Sequence, residues 1–294
     1  MPCACIDIGS NTTRLLVAEQ RDGRLHELAA ERVFTSLGAA ALADGTIPTA
    51  KIAELADVVA AQAASAVRHG CERTRAVATA VVRRAPNREE LLGALLRVAG
   101  VEVDLLEPGE EARLTYAGAV GMLSEVVEQP VAVVDVGGGS SELVVGDRWW
   151  RSLPHGSSSL TRRCVRCDPP SEQCVRALRE AAEEAFFDVV PPPTELALAV
   201  GGSATSLLLV SEDALDVASL ARALSELLAN PVAEAALRLG LHPERVRILP
   251  AGVVLLEQAC EKLGGRLRVA AGGVREGVVL ELLGGPDAAP RLSP

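Results

Sequence analysis

Asp135-Val136-Gly137-Gly138-Gly139-Ser140-Ser141-Glu142 joins two apolar runs, Val131-Ala132-Val133-Val134 before it and Leu143-Val144-Val145 after it. Each run is short and apolar, the pattern of a buried strand. Three consecutive glycines between them predict a turn whose backbone N–H groups a ligand can approach with no Cβ in the way. Those N–H groups, with the Ser140 and Ser141 hydroxyls, suit phosphate oxygens. Asp135 and Glu142 stand at the two ends of the loop, placed to hold a hard cation against such phosphates. Alone, the stretch reads as an ordinary hairpin, but it occurs twice.

Asp7-Ile8-Gly9-Ser10-Asn11-Thr12-Thr13-Arg14-Leu15-Leu16-Val17 aligns without a gap onto Asp135 to Val145. Acid, apolar residue, glycine, small polar residues and an apolar strand recur in the same order, and the informative mismatch is Arg14 against Glu142. An internal repeat implies two related units, each presenting one loop. Two such loops facing each other are expected to grip a phosphate chain from both sides.

Around the loops the chain alternates strands and helices. Residues 3–8, 13–20 and 24–33 read as strands, and 49–69 as a helix that Gly70 stops. Arg75 to Thr79 is the next strand, and Asn87 is placed to cap a helix through residue 99. Residues 101–105 form a strand, after which Pro108 opens a helix to about Leu123. Glu110 and Glu111 fall in its first turn, where the helix dipole favours a carboxylate. A helix over 171–190, a strand over 196–200, helices through Leu263, a strand at 267–271 and a helix from Val274 complete the order. Arg148-Trp149-Trp150-Arg151 is read as the cap of a core edge or an interface. This succession fits mixed α/β layers rather than a helical bundle.

Composition narrows the function. With 294 residues and 49% hydrophobic content the chain buries a sizeable core and divides into two domains. A net charge of −10 counts against a nucleic-acid binder, yet local arginines and a cation still set the field around a polyanion. No basic region precedes an apolar run at the N-terminus and no segment is long enough to span a membrane, so a cytoplasmic protein is expected. The seven cysteines are read as reduced. Cys164, Cys167 and Cys174 form a C-x2-C-x6-C cluster, one ligand short of a usual zinc site and with no histidine at finger spacing.

The paired loops resemble the phosphate-binding loops of the actin-like ATPase superfamily. Within it the chain resembles the exopolyphosphatase/guanosine pentaphosphate phosphohydrolase (Ppx/GppA) family. The resemblance is carried by Asp7 to Asn11, Glu110-Glu111-Ala112-Arg113, Asp135 to Glu142, Gly201-Gly202-Ser203-Ala204-Thr205 and Arg275-Glu276-Gly277, in order from residue 5 to about 283. It implies two ribonuclease H-like α/β domains, 1–122 and 123–294, facing across a cleft, with the last helix (about 274–284) packing back on the first. It also implies the short form of the family, without the appended helical domain of longer members.

The same resemblance implies site roles. Arg83, just past a strand end where α/β ligand sites tend to fall, matches the family's catalytic arginine, and Arg84 is its competitor. Glu111 matches the proposed catalytic base, although Glu107-Pro108-Gly109 departs from the family's usual Ser-Gly entry. The expected phosphate contacts are Asp7, Gly9, Ser10, Asn11, Thr12, Arg14, Gly137, Gly138, Gly139, Ser140, Ser141, Gly202, Ser203 and Arg275. Asp135 and Glu142 are the expected ligands of Mg²⁺ or Mn²⁺. The expected activity is hydrolysis of the terminal phosphoanhydride of inorganic polyphosphate. The alternatives are a 5′-phosphohydrolase of guanosine pentaphosphate, a polyphosphate:ADP phosphotransferase, and, from a different class, an actin-like nucleotide-binding scaffold. The oligomeric state, with a homodimer as one option, stays open.

Overall fold

A computed structural model describes residues 1–125, 127, 130–210 and 214–284. The chain divides into two compact units, the first holding Met1–Met122 together with the chain from Gly272, the second beginning at Leu123 and running through Ala271.

The first unit opens with three strands, β1 (Cys3–Ile8), β2 (Thr13–Arg21) and β3 (Arg24–Val33). A short helix α1 (Leu37–Ala40) and the long α2 (Thr49–Arg68) lead to β4 (Arg73–Ala78), α3 (Ala80–Arg83), α4 (Arg88–Ala99), β5 (Val103–Leu105) and α5 (Pro108–Gly121). The sheet order is β3-β2-β1-β4-β5. β1 and β3 flank β2 antiparallel, whereas β4 runs parallel to both β1 and β5. β1 is apolar on both faces because the sheet is covered on both. Ala4, Ile6 and Ile8 enter the core under α2 and α4, while Cys3 and Cys5 enter a second core with Leu114, Val274 and Val278.

The second unit repeats the plan. β6 (Val131–Val136), β7 (Ser141–Val145) and β8 (Trp149–Leu153) are followed by α6 (Ser157–Cys164), α7 (Glu172–Phe186), β9 (Leu196–Val200) and α8 (Gly201–Leu207). Then come β10 (Ala214–Asp216), α9 (Val217–Leu228), α10 (Val232–Leu239), α11 (Pro243–Lys262) and β11 (Arg266–Val269). The order β10-β11-β9-β6-β7-β8 contains, read backwards, the five-strand order of the first sheet with one edge strand added. Both sheets have the mixed connectivity expected of ribonuclease H-like domains.

The helix α12 (Val274–Gly284) returns to the first unit and lies on α5 and β1. Its approach to α5 is very close: a Cβ on Gly277 would sit 2.1 Å from the Leu114 carbonyl oxygen, and one on Gly118 2.0 Å from that of Gly273. Only glycine permits backbones this near.

Several local expectations give way to tertiary context. Asn87 occupies the N-cap position of α4 without capping it. Its side chain instead accepts from the Ile47 N–H (3.0 Å) and donates to the Ile47 carbonyl (2.9 Å), which pins the loop before α2. Residues 214–216, expected to be helical, form β10, too short for any periodicity to show. The tryptophan pair lies on β8, an edge strand, with Trp149 against the core and the Arg151 guanidinium 5.6 Å above its ring. No helix among the described residues is long and apolar enough to cross a membrane.

Candidate active site

In the first unit the loop between β1 and β2 is held from within and from the side. The Gly9 N–H donates to the Thr12 carbonyl (3.0 Å), while the Ser10 and Asn11 carbonyls accept from Gly38 (2.8 Å) and Ser36 (2.9 Å). Ser10, Asn11 and Thr12 are consequently buried. Two donors remain without a partner among the described residues, Asn11 Nδ2 and Arg14 Nε. Buried donors normally find an acceptor, so two orphans, one in the loop and one at the start of β2, are donors an anion could use.

Arg14 faces Asp7 across the β1–β2 pairing and Arg32 across the β2–β3 pairing. Arg275 and Glu276, in the first turn of α12, join them, with Arg275 Nη2 donating to Glu276 Oε1 at 3.3 Å. Burial, followed by repulsion from Arg275 and Arg32, draws Arg14 down to about 10. Burial pushes the Asp7 carboxyl up, against the pull of Arg275 and Arg14. Three guanidinium groups with two carboxylates leave this side of the unit with an excess of positive charge. The sequence pointed to Arg14 and Arg275 and carried Glu276 in its motif without a role; Arg32 was missed, since only the strand register brings it in.

A few residues on, α3 carries Arg83 inward and leaves Arg84 exposed. Arg83 Nη1 donates to Glu111 Oε2 at 3.2 Å and also to the Leu106 carbonyl. The neighbouring acid is engaged elsewhere. Glu110 accepts two bonds from Arg113 (2.8 and 2.7 Å), and Arg113 reaches on to Glu281 of α12. That bidentate pair holds the Glu110 carboxyl below its usual range. The departure at Glu107-Pro108-Gly109 leaves the helix start intact, since Pro108 opens α5 as its first residue.

In the second unit the β6–β7 pairing sets Asp135 opposite Glu142, the register position that Asp7 and Arg14 occupy in the first. Ser140, Ser141 and Glu142 are buried. The loop carbonyls are used up by α6: Gly137 accepts from the Ser157 N–H (2.8 Å) and hydroxyl (3.0 Å), and Gly138 from the N–H groups of Ser158 and Ser159 (both 3.0 Å). Ser158 Oγ is a further buried hydroxyl without a partner among the described residues. The Ser141 hydroxyl, by contrast, donates to the His155 carbonyl (2.8 Å), and the Ser203 hydroxyl to the Val136 carbonyl (2.9 Å), so these two brace the loop. A Cβ on Gly202 would sit 2.5 Å from a nitrogen of the Arg245 guanidinium, a buried arginine from the first turn of α11 that sequence reasoning passed over.

The donor set at Asp135 and Glu142 fits a hard cation. They stand directly opposite each other across the pairing, and carboxylate oxygens are the ligands such a cation takes. Glu142 Oε1 accepts from the Ser152 hydroxyl at 2.9 Å, which orients it. A Cβ on Gly201, whose φ is +80°, would meet Asp135 Oδ1 at 2.1 Å, so glycine alone leaves room for that carboxylate. No group of three or more acid, histidine or cysteine side chains suited to a metal occurs among the described residues. Two carboxylates, with water and phosphate oxygens filling the remaining positions, is an arrangement magnesium accepts.

The Ppx/GppA phosphatase family model matches residues 16–285. The chain belongs to this family. Exopolyphosphatase 2 of Mycobacterium tuberculosis is 31% identical, over 96% of this chain and 98% of its own. The crystal structure of an Aquifex aeolicus family member superposes with a TM-score of 0.80 at 31% identity, covering 97% of this chain and 98% of that one. A guanosine-5′-triphosphate,3′-diphosphate pyrophosphatase of Aeromonas hydrophila is 25% identical over 96% of this chain and 59% of its own length. As a Ppx/GppA member the chain is a phosphoanhydride hydrolase, which sets aside the non-enzymatic scaffold.

Proposed function

We propose that this Ppx/GppA member is an exopolyphosphatase, releasing phosphate from the end of inorganic polyphosphate. The observation that carries the reading is the buried Arg83–Glu111 pair, a base and an electrophile within one hydrogen bond of each other, at 3.2 Å, in a unit whose loop keeps orphaned anion-type donors. Glu111 takes the proton of the attacking water. Oxygen then adds to the terminal phosphorus as the bridging P–O bond breaks, and the negative charge passes to the shortened chain. Arg83 meets the charge that develops on the transferred and leaving oxygens. Arg14, Arg275 and Asn11 Nδ2 bind phosphate oxygens in the first unit; the loop N–H groups and Ser158 do so in the second. Asp135 and Glu142 are the residues that would hold Mg²⁺ or Mn²⁺, which supplies neutralisation of phosphate charge.

A second reading, a 5′-phosphohydrolase of guanosine pentaphosphate, draws on the Aeromonas hydrophila relative, but that match is weaker at 25% identity. Phosphate release from long polyphosphate, short polyphosphate and guanosine pentaphosphate, each with and without chelator, separates them. Release from polyphosphate without added nucleotide supports the first reading. Turnover of guanosine pentaphosphate with inertness toward polyphosphate replaces it with the second.

A further inference from the structure

The segment after α6 and the first turn of α7 together hold a pair of sulfurs that phosphate chemistry does not use. Cys167 Sγ lies 3.6 Å from Cys174 Sγ, with Cys167 exposed and Cys174 buried in the first turn of α7. Ser171 organises both. Its N–H donates to Cys167 Sγ (3.3 Å), and its hydroxyl donates to Cys174 Sγ (3.4 Å) while lying 3.3 Å from the Cys174 N–H. The third cysteine of the cluster is turned away, since Cys164 Sγ donates to the Ala177 carbonyl at 3.6 Å. Burial pushes the thiols of Cys164 and Cys260 up. Cys174 goes the other way, to about 7, through the hydrogen bonds of Ser171 first and of the Arg166 backbone second. A thiolate at a helix N-terminus is favoured by the dipole as well.

We propose that Cys167 and Cys174 form a reversible dithiol–disulfide pair, oxidised by a low-molecular-weight disulfide of the glutathione class. The sulfurs are already in contact, and a small rotation of the exposed Cys167 side chain closes the gap to bonding distance. Their asymmetry assigns the steps. Exposed Cys167, as thiolate, attacks one sulfur of the external disulfide, forming a mixed disulfide and expelling one thiolate. Buried Cys174, as thiolate, then attacks Cys167 Sγ, forming the intramolecular bond and expelling the second. Two electrons pass from the protein to the external disulfide, which leaves as two thiols carrying the two protons of the cysteines. The bond fixes the exit of α6 onto α7. The entry of the same helix holds the Gly137 and Gly138 carbonyls through Ser157, Ser158 and Ser159, so the pair stands one short helix away from the second loop.

The test treats the full chain with glutathione disulfide, blocks remaining thiols with a maleimide and maps the peptides by mass. The expected result is a Cys167–Cys174 cross-linked peptide, two thiols lost per chain, both restored by dithiothreitol. In Cys174→Ser the reaction stops at a single glutathione on Cys167; in Cys167→Ser, Cys174 stays free. The proposal is overturned if wild type retains glutathione on Cys167 as the Cys174→Ser variant does, if Cys167 pairs with Cys164, or if neither sulfur reacts while Cys167 still takes maleimide. The wild-type peptide map decides the matter even where a serine variant does not fold.

Discussion

Arg83 Nη1 donates to Glu111 Oε2 across 3.2 Å, and the two side chains are only 13% and 8% exposed. The pair joins α3, which follows a parallel strand of the sheet, to the first turn of α5. In the proposed reaction both groups serve the transferred phosphate, the carboxylate toward the attacking water and the guanidinium toward the phosphate oxygens.

Glu111→Gln keeps the shape and much of the hydrogen bonding but removes the base. Turnover is expected to fall roughly 100-fold or more, with KM and far-UV circular dichroism near wild type. Steady-state kinetics check this, and near-normal kcat eliminates Glu111.

Glu110 has a different task, and pH exposes it. Its carboxyl is held below the unperturbed value of 4.5 by Arg113. A lowered folded-state pKa contributes stability that is complete above 4.5 and lost as pH falls through the folded value. Glu110→Gln should therefore unfold at lower urea than wild type near neutrality, and the gap should narrow as pH drops below 4.5. Urea midpoints across that window measure it; a gap that holds constant in acid rules the ion pair out as its source.

The proposed metal dependence is tested at the Asp135–Glu142 pairing. Chelator is expected to abolish phosphate release, and Asp135→Ala or Glu142→Ala to raise the Mg²⁺ concentration needed for half-maximal rate. Gly201→Ala should do the same without replacing a carboxylate, because its methyl would press on Asp135 Oδ1 at 2.1 Å. Full activity in excess chelator refutes the cation.

Arg14→Ala removes the guanidinium whose buried Nε lacks a hydrogen-bond partner among the described residues. Losing a charge-assisted contact costs about 1.5–3 kcal/mol, or roughly 10- to 100-fold in affinity. The expected outcome is a rise in KM for polyphosphate that exceeds the fall in kcat. An unchanged KM disposes of the contact.

What could be read from the sequence was whatever repeats or alternates. The apolar run of β1 and the twin acid–glycine loops declare two strand-led units, because a strand buried on both faces has no other composition available to it. Long-range register was not legible. Arg32 meets Arg14 only through the β2–β3 pairing, which slips at a bulge between Val17 and Ala18. Asn87 shows the limit of local rules, since the side chain that suits a cap is used 40 residues away in sequence, on Ile47. Arg245 gave no signal, because nothing near α11 says that its first turn ends beside Gly202.

The Gly118 and Gly277 contacts also dictate a timetable for synthesis. A ribosome delivers β1 to α5 first, yet the face of β1 bearing Cys3 and Cys5 is only partly covered, by Leu106 and Leu114, until Val274, Val278 and Val279 emerge. Throughout translation of the second unit the nascent first unit carries an open apolar flank, and α12 is the clasp that shuts it. A ribosome stalled short of Gly277 therefore holds a chain whose two loops are fully made and whose first unit is still unsealed, a natural target for chaperones that bind exposed apolar surface.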